Sequence, residues 1–420
     1  MNNVPAVAAI AQPTRSVKGA LASLSLAMLL SSLGTSIANV GLPSLAQAFS
    51  ASFQQVRWVV IAYLLVITLS IVSVGRLGDL VGRRRLLLSG IGLFTLASAL
   101  CGLAPNLDLL IAARALQGLG AAVMMALTLA FVGDTVAKDK SGGAMGLLGS
   151  MSAMGTATGP ALGGVLIGGF GWRWIFFISV PLGVLTWLFA QRYLPEDRPR
   201  QTGRTGFDSL GTVLLALLRN SRLSGSLAMS LLVTTVMMAT LLVGPFYLAQ
   251  TLRLTAVEIG LVLSVGPLVA ALTGVPAGRL VDRCGAPGMT LAGLLGMALG
   301  CCLLSVLPET LGVGGYLASM VVITLGYALF QTANNTAVML GVLPEQRGVV
   351  SGLLNLSRNL GLVTGASAMG AVFALASKAV DIGTAQPQAI ASGMRTTFLV
   401  ALGLIVVACL IAWRRQAESQ

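Results

Sequence analysis

Twelve apolar runs dominate the chain, and each is near or above the ~20 residues that an α-helix needs to cross a bilayer. They fall at 21–46, 56–77, 84–104, 108–133, 144–169, 172–193, 223–249, 256–281, 287–307, 312–340, 348–377 and 395–413. A water-soluble core cannot absorb them. Only 9% of residues are charged against 56% hydrophobic, with a mean hydropathy of +0.90, whereas a soluble domain carries about 25% charge. In lipid the backbone must satisfy itself as helices or as a closed barrel, and the alternating ten-residue segments of a barrel are not seen. The expected fold is an all-α integral membrane protein with twelve transmembrane helices.

A formal net charge of +13 raises the question of nucleic acid, and the placement of the charges answers it. With the N-terminus inside, 19 of the 26 Lys and Arg residues fall on the inner connections, including Arg76, Arg83, Arg84, Arg85, Arg279, Arg283, Arg414 and Arg415. The outer side keeps Arg57, Arg173, Arg253, Lys378 and Arg395, and Arg114 and Arg358 lie within spans. This skew is the positive-inside pattern. It predicts a multi-pass protein of a bacterial-type inner (plasma) membrane with both termini cytoplasmic. Its inner face would meet anionic lipid, and no nucleic-acid partner is expected.

Between the second and third runs, Gly75 to Leu86 reads G-R-L-G-D-L-V-G-R-R-R-L. We read it as a tight turn at the membrane surface. Gly75, Gly78 and Gly82 permit close backbone approach, and Asp79 is expected where the next helix begins, since an anion is stabilised at a helix N-terminus. Arg83, Arg84 and Arg85 follow. The turn returns 203 positions later as G-R-L-V-D-R-C-G, with Gly278, Asp282, Arg283 and Gly285. A second echo pairs Gly155 and Gly159 with Gly361 and Gly365, 206 positions on. The chain is therefore expected to be two related halves, an architecture of transporters. Residues 1–20 would form an N-terminal tail, 21–193 one six-helix bundle, 194–222 a cytoplasmic linker, 223–413 a second bundle and 414–420 a tail. Within the linker, 208–218 is apolar but too short to span, so it is placed along the inner surface.

Polar residues inside the spans are the candidate functional groups. Arg114, Gln117, Gly118 and Ala121 share one helical stripe, and an arginine within a span costs roughly 2.5–3.5 kcal/mol even on the lenient insertion scale. It must face protein or water, and no carboxylate lies deep in another span to pair with it. Arg358 sits in a similar cluster with Asn355 and Asn359. Thr35 and Asn39 in the first helix, Met238 in the seventh, and Tyr327, Phe330, Gln331 and Asn334 in the tenth are expected to line an interior cavity. Helix–helix packing explains the methionines equally well. The fifth helix carries Gly155, Gly159, Pro160, Gly163 and Gly164, a flat glycine face with a kink at the proline.

The five cysteines read as buried core thiols, since no metal-ligand spacing occurs among them. Histidine is absent, which removes the commonest general base and proton relay. A membrane-embedded enzyme would need a nucleophile–base pair or a metal cluster within the spans, and the sequence offers neither. No cofactor is expected. The polar stripes on several helices argue against a non-transporting sensor or scaffold.

These residues carry a family resemblance. G-R-L-G-D-L-V-G-R-R-R from Gly75, R-A-L-Q-G-L-G-A-A from Arg114 and G-T-A-T-G-P-A-L-G-G from Gly155 resemble signature motifs of the major facilitator superfamily, and within it the drug:proton antiporter branch. The W-R-W-I-F-F-I-S-V-P-L-G run from Trp172 and F-D-S-L-G-T-V-L-L from Phe207 resemble the members that have fourteen helices. The resemblance implies two pseudo-symmetric six-helix bundles rocking about a cavity lined by helices one, four, seven and ten. It implies that Asp79 and Asp282 hold the starts of helices eleven and five in one state, and that Arg114 belongs to the coupling and substrate region. Gly159 and Pro160 would lie at the hinge between bundles. Two departures stand out: Gly34 occupies the position of that branch's usual helix-one aspartate, and the two extra central helices are missing. All thirteen acidic residues lie at helix ends or in loops.

The expected function is secondary active transport by alternating access, with a proton gradient as energy source. The reading is a monomeric multidrug efflux antiporter for drugs or small amphiphiles, conferring antibiotic resistance. The charge census favours a neutral or anionic small molecule as substrate, because a positive cavity disfavours cations. Uptake of an organic acid or small metabolite is the alternative, since fold alone fixes neither direction nor cargo.

Overall fold

In the computed structural model, residues 17–135, 141–197, 221–306, 311–340, 347–377 and 385–417 are described. Among them there is no strand. The long helices are α1 (Val17–Val40), α2 (Trp58–Val81), α3 (Arg83–Leu103), α4 (Leu107–Thr135), α5 (Ser141–Phe170) and α6 (Ser179–Tyr193) in the first half. The second half has α7 (Ser221–Phe246), α8 (Ala256–Cys284), α9 (Ala286–Val306), α10 (Gly312–Leu340), α11 (Arg347–Thr364) and α12 (Pro387–Ala417). Eleven of these passes are long and apolar enough to cross a membrane. The remaining one, α5, spans 30 residues, and its glycines dilute its hydropathy. The fold is an integral membrane one, with two pseudo-symmetric six-helix bundles. The segment 208–218 and the first sixteen residues lie outside the described residues.

Three expectations change with the structure. Asp79 does not open the third helix; it belongs to the last turn of α2, and the chain reverses only at Gly82, whose φ is +104°. That angle lies in the left-handed region that glycine tolerates. Gly285 repeats the device at the end of α8, with φ +84°, so Asp282 too is in the helix before the turn. Second, α12 begins at Pro387 rather than near 395, so Arg395 lies within the helix. Third, only Cys101 and Cys301 are buried thiols, while Cys284 and Cys302 are exposed. Cys302 sits next to Cys301 on a helix whose two neighbouring positions point to different sides.

The duplication is visible as matched contacts. Gly155, Gly159 and Gly163 lie against α1, where an added Cβ would meet the Leu29 carbonyl at 2.5 Å, Ser36 and Val40. Gly361 and Gly365 lie in the same way against α7, meeting the carbonyls of Leu231 and Thr235 at 2.5 Å. Even the crossing hydrogen bond recurs. Ser36 Oγ donates to the Gly155 carbonyl at 3.2 Å, and Thr235 Oγ1 donates to the Gly361 carbonyl at 3.1 Å. A third pair was not read from the sequence. Gly90 and Gly120 bring α3 onto α4, and Gly293 and Gly326, 203 and 206 positions later, bring α9 onto α10. Helix starts match as well: Ser52–Gln55 and Thr255–Glu258 both form capping boxes, the reciprocal arrangement in which side chains satisfy the first free N–H groups.

Val17, Tyr193, Leu223 and Arg415 share one end of the molecule, as the packing of Gly19 on Tyr193 and of Gly225 on Arg415 shows. At the opposite end the two bundles meet. Gly164 approaches Ala256 and Gly260 of α8, the Gly260 site meets the Pro160 carbonyl, and Gly168 meets Val257. Phe53 packs on Phe246 and Phe373 with centroids 4.9 and 5.2 Å away. Arg57 Nη1 donates to the Ser367 carbonyl at 2.9 Å, within a π-helical turn, Gly365–Met369, that interrupts the eleventh pass. Toward the termini, Gly149, Gly274, Gly278 and Gly352 have nothing within 4 Å of an added Cβ. These contacts join the two bundles at the end far from the termini.

Candidate functional site

Arg114 lies about two turns into α4 and is 0% exposed. Five passes converge on it. Its Nε donates to the Val59 carbonyl of α2 at 3.0 Å, and its Nη1 to the Gly34 carbonyl of α1 at 3.2 Å and to Gln117 Oε1 at 2.5 Å. Gln117 Nε2 in turn donates to Ser98 Oγ of α3 at 2.7 Å, and Ser98 donates to the Phe94 carbonyl at 2.7 Å. The guanidinium rests on the Tyr63 ring, 4.0 Å from its centroid, with Phe176, in the short helix before α6, on another side at 6.0 Å. Tyr63 is fixed by donating its own hydroxyl to the Ser31 carbonyl at 3.0 Å. Nη2 has no partner.

The chemistry of this cluster follows from its parts. Carbonyl dipoles and a ring face supply only partial negative charge, so the cation is solvated by protein without being neutralised. Among the described residues no carboxylate touches it. Gly34 and Gly118 make the approach possible. A Cβ at Gly118 would stand 2.5 Å from the Tyr63 carbonyl, and one at Gly34 would stand 2.9 Å from the Phe94 ring and 3.2 Å from the Tyr63 hydroxyl. The space that the branch's aspartate would need is thus filled by Phe94 and Tyr63. Among the described residues the second bundle shows no such cluster: Met320 and Thr324, 206 positions after Arg114 and Gly118, are the residues nearest to Gly266, itself 203 positions after Tyr63.

The other expected site residues are dispersed. Arg358 is exposed on α11. Thr35, Tyr327 and Gln331 are half-buried, with Gln331 Oε1 unpartnered. Asn39 and Asn334 are buried, each donating Nδ2 to a carbonyl at 3.3 Å (Thr35 and Ser226) and each leaving Oδ1 without a donor. Phe330 is buried where α9 brings Gly293 against its backbone, and Met238 is covered by Gly365. The stripe expected from Phe330, Gln331 and Asn334 is therefore split between two helix contacts. Gly75 and Gly78 lie in α2, with Gly78 packed on Leu127. Gly278, Asp282 and Arg283 end α8, with both charged side chains exposed.

Asp197, which the sequence reading passed over, holds the N-terminus of α3. The backbone N–H groups of Arg84 and Arg85 donate to its two carboxylate oxygens at 2.8 and 3.2 Å. It ties the end of α6 to the turn at Gly82. Tyr63, Ser98, Phe53, Phe246 and Phe373 were likewise not singled out as functional. Only Phe53 has a local signal, the S-x-x-Q capping box that encloses it.

Two linked six-helix bundles with buried polar side chains are an architecture of membrane transporters. The chain belongs to the Major Facilitator Superfamily, whose family model matches residues 24–366. It is 29% identical over 393 residues to the riboflavin transporter RibZ of Clostridioides difficile, covering 82% of this chain and 86% of that one. It is 30% identical over 390 residues to the multidrug resistance protein Stp of Mycobacterium tuberculosis, covering 80% and 72%. Among solved structures, a bacterial homologue of the human lysosomal transporter Spinster, inward-facing and occupied, superposes with a TM-score of 0.80 at 17% identity, covering 97% of both chains. The D-xylose–proton symporter superposes at 0.78 with 16% identity, covering 94% and 97%.

Proposed function

We propose that this protein exports drugs or small amphiphilic compounds, neutral or anionic, across a bacterial-type plasma membrane by alternating access. The observation that carries the reading is the contact between the bundles at the end far from the termini. Phe53, Phe246, Phe373 and the Arg57–Ser367 contact join the bundles at the far end, which supports a state whose opening lies at the end bearing the termini and the arginine-rich turn. With that end cytoplasmic, as the positive-inside pattern supports, this is the state that loads cargo from the cell. Exchange of the open and closed ends would release it outside.

Export rather than uptake is supported by the Gly155–Gly164 string, which resembles the exporters' motif, and by the likeness to Stp. The likeness to RibZ favours a second reading, uptake of a small metabolite by the same cycle. In everted vesicles, energised with and without a proton gradient, export predicts accumulation of amphiphilic dyes above that of vesicles lacking the protein. Accumulation in right-side-out vesicles instead would establish uptake. The unpartnered amide oxygens of Asn39, Gln331 and Asn334 support a polar wall that can accept hydrogen bonds from cargo or water.

A further inference from the structure

The distribution of charge along the helices bears on what drives the cycle. A protein that exchanges cargo for protons must hold a group that gains and loses a proton inside the membrane. The usual groups are a carboxylate shifted upward by burial or a histidine. The sequence has no histidine and thirteen acids, and the helix bounds place the seven that are described at helix margins. Asp79 and Asp282 are third from the ends of α2 and α8, Asp108 and Glu258 are in the first turns of α4 and α8, and Asp134 is next to last in α4. Glu196 and Asp197 follow α6, and the other six lie outside the described helices.

The charges placed deeper are all positive: Arg114 is the eighth residue of α4, Arg358 the twelfth of α11 and Arg395 the ninth of α12. Guanidinium does not release its proton in proteins. The titratable side chains felt by Arg114 are Tyr63 and Cys101, a phenol and a thiol that are ordinarily protonated at neutral pH.

We propose that the cargo is an organic monoanion that leaves down the membrane potential, with no proton moving the other way; this rests on the export reading. The fixed positive charge then has a use. Arg114, with no carboxylate partner among the described residues and one unpartnered Nη2, projects its field through a low-dielectric wall, which attracts an anion without requiring contact. Arg114 acts from the first bundle, and Met320 stands at the matching place in the other. An inside-negative membrane expels the anion, and 100 mV sustains a concentration ratio of about fifty-fold for a single charge.

The test uses the purified full chain in liposomes loaded with one of three probes: sulforhodamine B as an amphiphilic monoanion, Nile red as a neutral compound, or rhodamine 6G as a cation. A potassium gradient with valinomycin sets the potential, and a pH gradient is imposed separately with the potential clamped. Sulforhodamine B efflux is expected to follow the potential toward that fifty-fold limit, to ignore the pH gradient and to leave the luminal pH unchanged. Efflux driven by the pH gradient, or a proton flux accompanying the dye, overturns the proposal. Transport of Nile red or rhodamine 6G without sulforhodamine B also overturns it, but leaves export standing. Transport of none of the three defeats both. Arg114→Met, which copies the second bundle, should lower the preference for sulforhodamine B over rhodamine 6G at least tenfold. If that variant does not fold, the wild-type comparison of potential and pH decides.

Discussion

Arg114 and the small residues around it set the terms at the residue scale. The guanidinium is held by two backbone carbonyls, one amide oxygen and a ring face, so truncation leaves Gln117 and the carbonyls unpaired in a dry interior. Arg114→Ala is expected to abolish efflux of the anionic dye while the protein still reaches the membrane, checked by sulforhodamine B flux against the amount of protein in the membrane. Glycine substitutions should grade by what an added methyl meets. At Gly118 the obstacle is the Tyr63 backbone, which cannot yield, so Gly118→Ala should lower stability by about 1–3 kcal/mol. Gly34→Ala meets mainly the far edge of a ring and should cost less. Gly149→Ala meets nothing and should be neutral or raise stability by about 0.4–1 kcal/mol. Thermal midpoints in detergent would rank the three. The R-A-L-Q-G string made Arg114, Gln117 and Gly118 legible in the sequence. Tyr63 and Ser98 were not, because they come from other helices and nothing local marks them.

At the scale of elements, the turns between helices show what a motif specifies and what it leaves open. The sequence placed a glycine-rich turn at Gly75–Leu86, but Gly82 alone makes the reversal, because only there is φ positive. The carboxylate at the start of α3 is not the local Asp79 but Asp197, more than a hundred residues away. Asp197→Ala is expected to lower the thermal midpoint by roughly a degree or two, with Asp197→Asn retaining part of that support. High salt should shrink the difference between wild type and Asp197→Ala, as screening of a helix-end charge requires. The capping boxes at Ser52–Gln55 and Thr255–Glu258, by contrast, are wholly local. They could have been read in advance as the starts of matching passes.

For the whole molecule, the decisive feature is the contact between the bundles at one end. In a variant lacking the five native cysteines, Gly149→Cys and Gly352→Cys should react with a membrane-impermeant maleimide applied from the side of the termini. Val56→Cys, beneath the Phe53 cluster, should remain unlabelled from the opposite side, and adding Phe53→Ala should expose it. Labelling of Val56→Cys with Phe53 intact would show that the aromatic cluster does not close the molecule. Substituting Gly260 with Leu would drive the bundles apart at Gly164 and Pro160, where the backbones touch. A gain in far-side labelling should accompany it.

The sequence by itself determined that this chain lives in a bilayer, that it crosses about twelve times and that it is a duplicated pair. Helix length, charge asymmetry and repeated glycines are local or periodic properties, and lipid leaves the backbone few alternatives. The sequence also named the buried cation, because an arginine in a span must be accommodated somewhere. Only the tertiary structure decided what accommodates it, which glycine faces meet within a bundle or between bundles, and at which end the bundles join. Those outcomes depend on side chains brought together from distant passes, and a packed interior selects partners by shape and reach that no single stretch of sequence encodes.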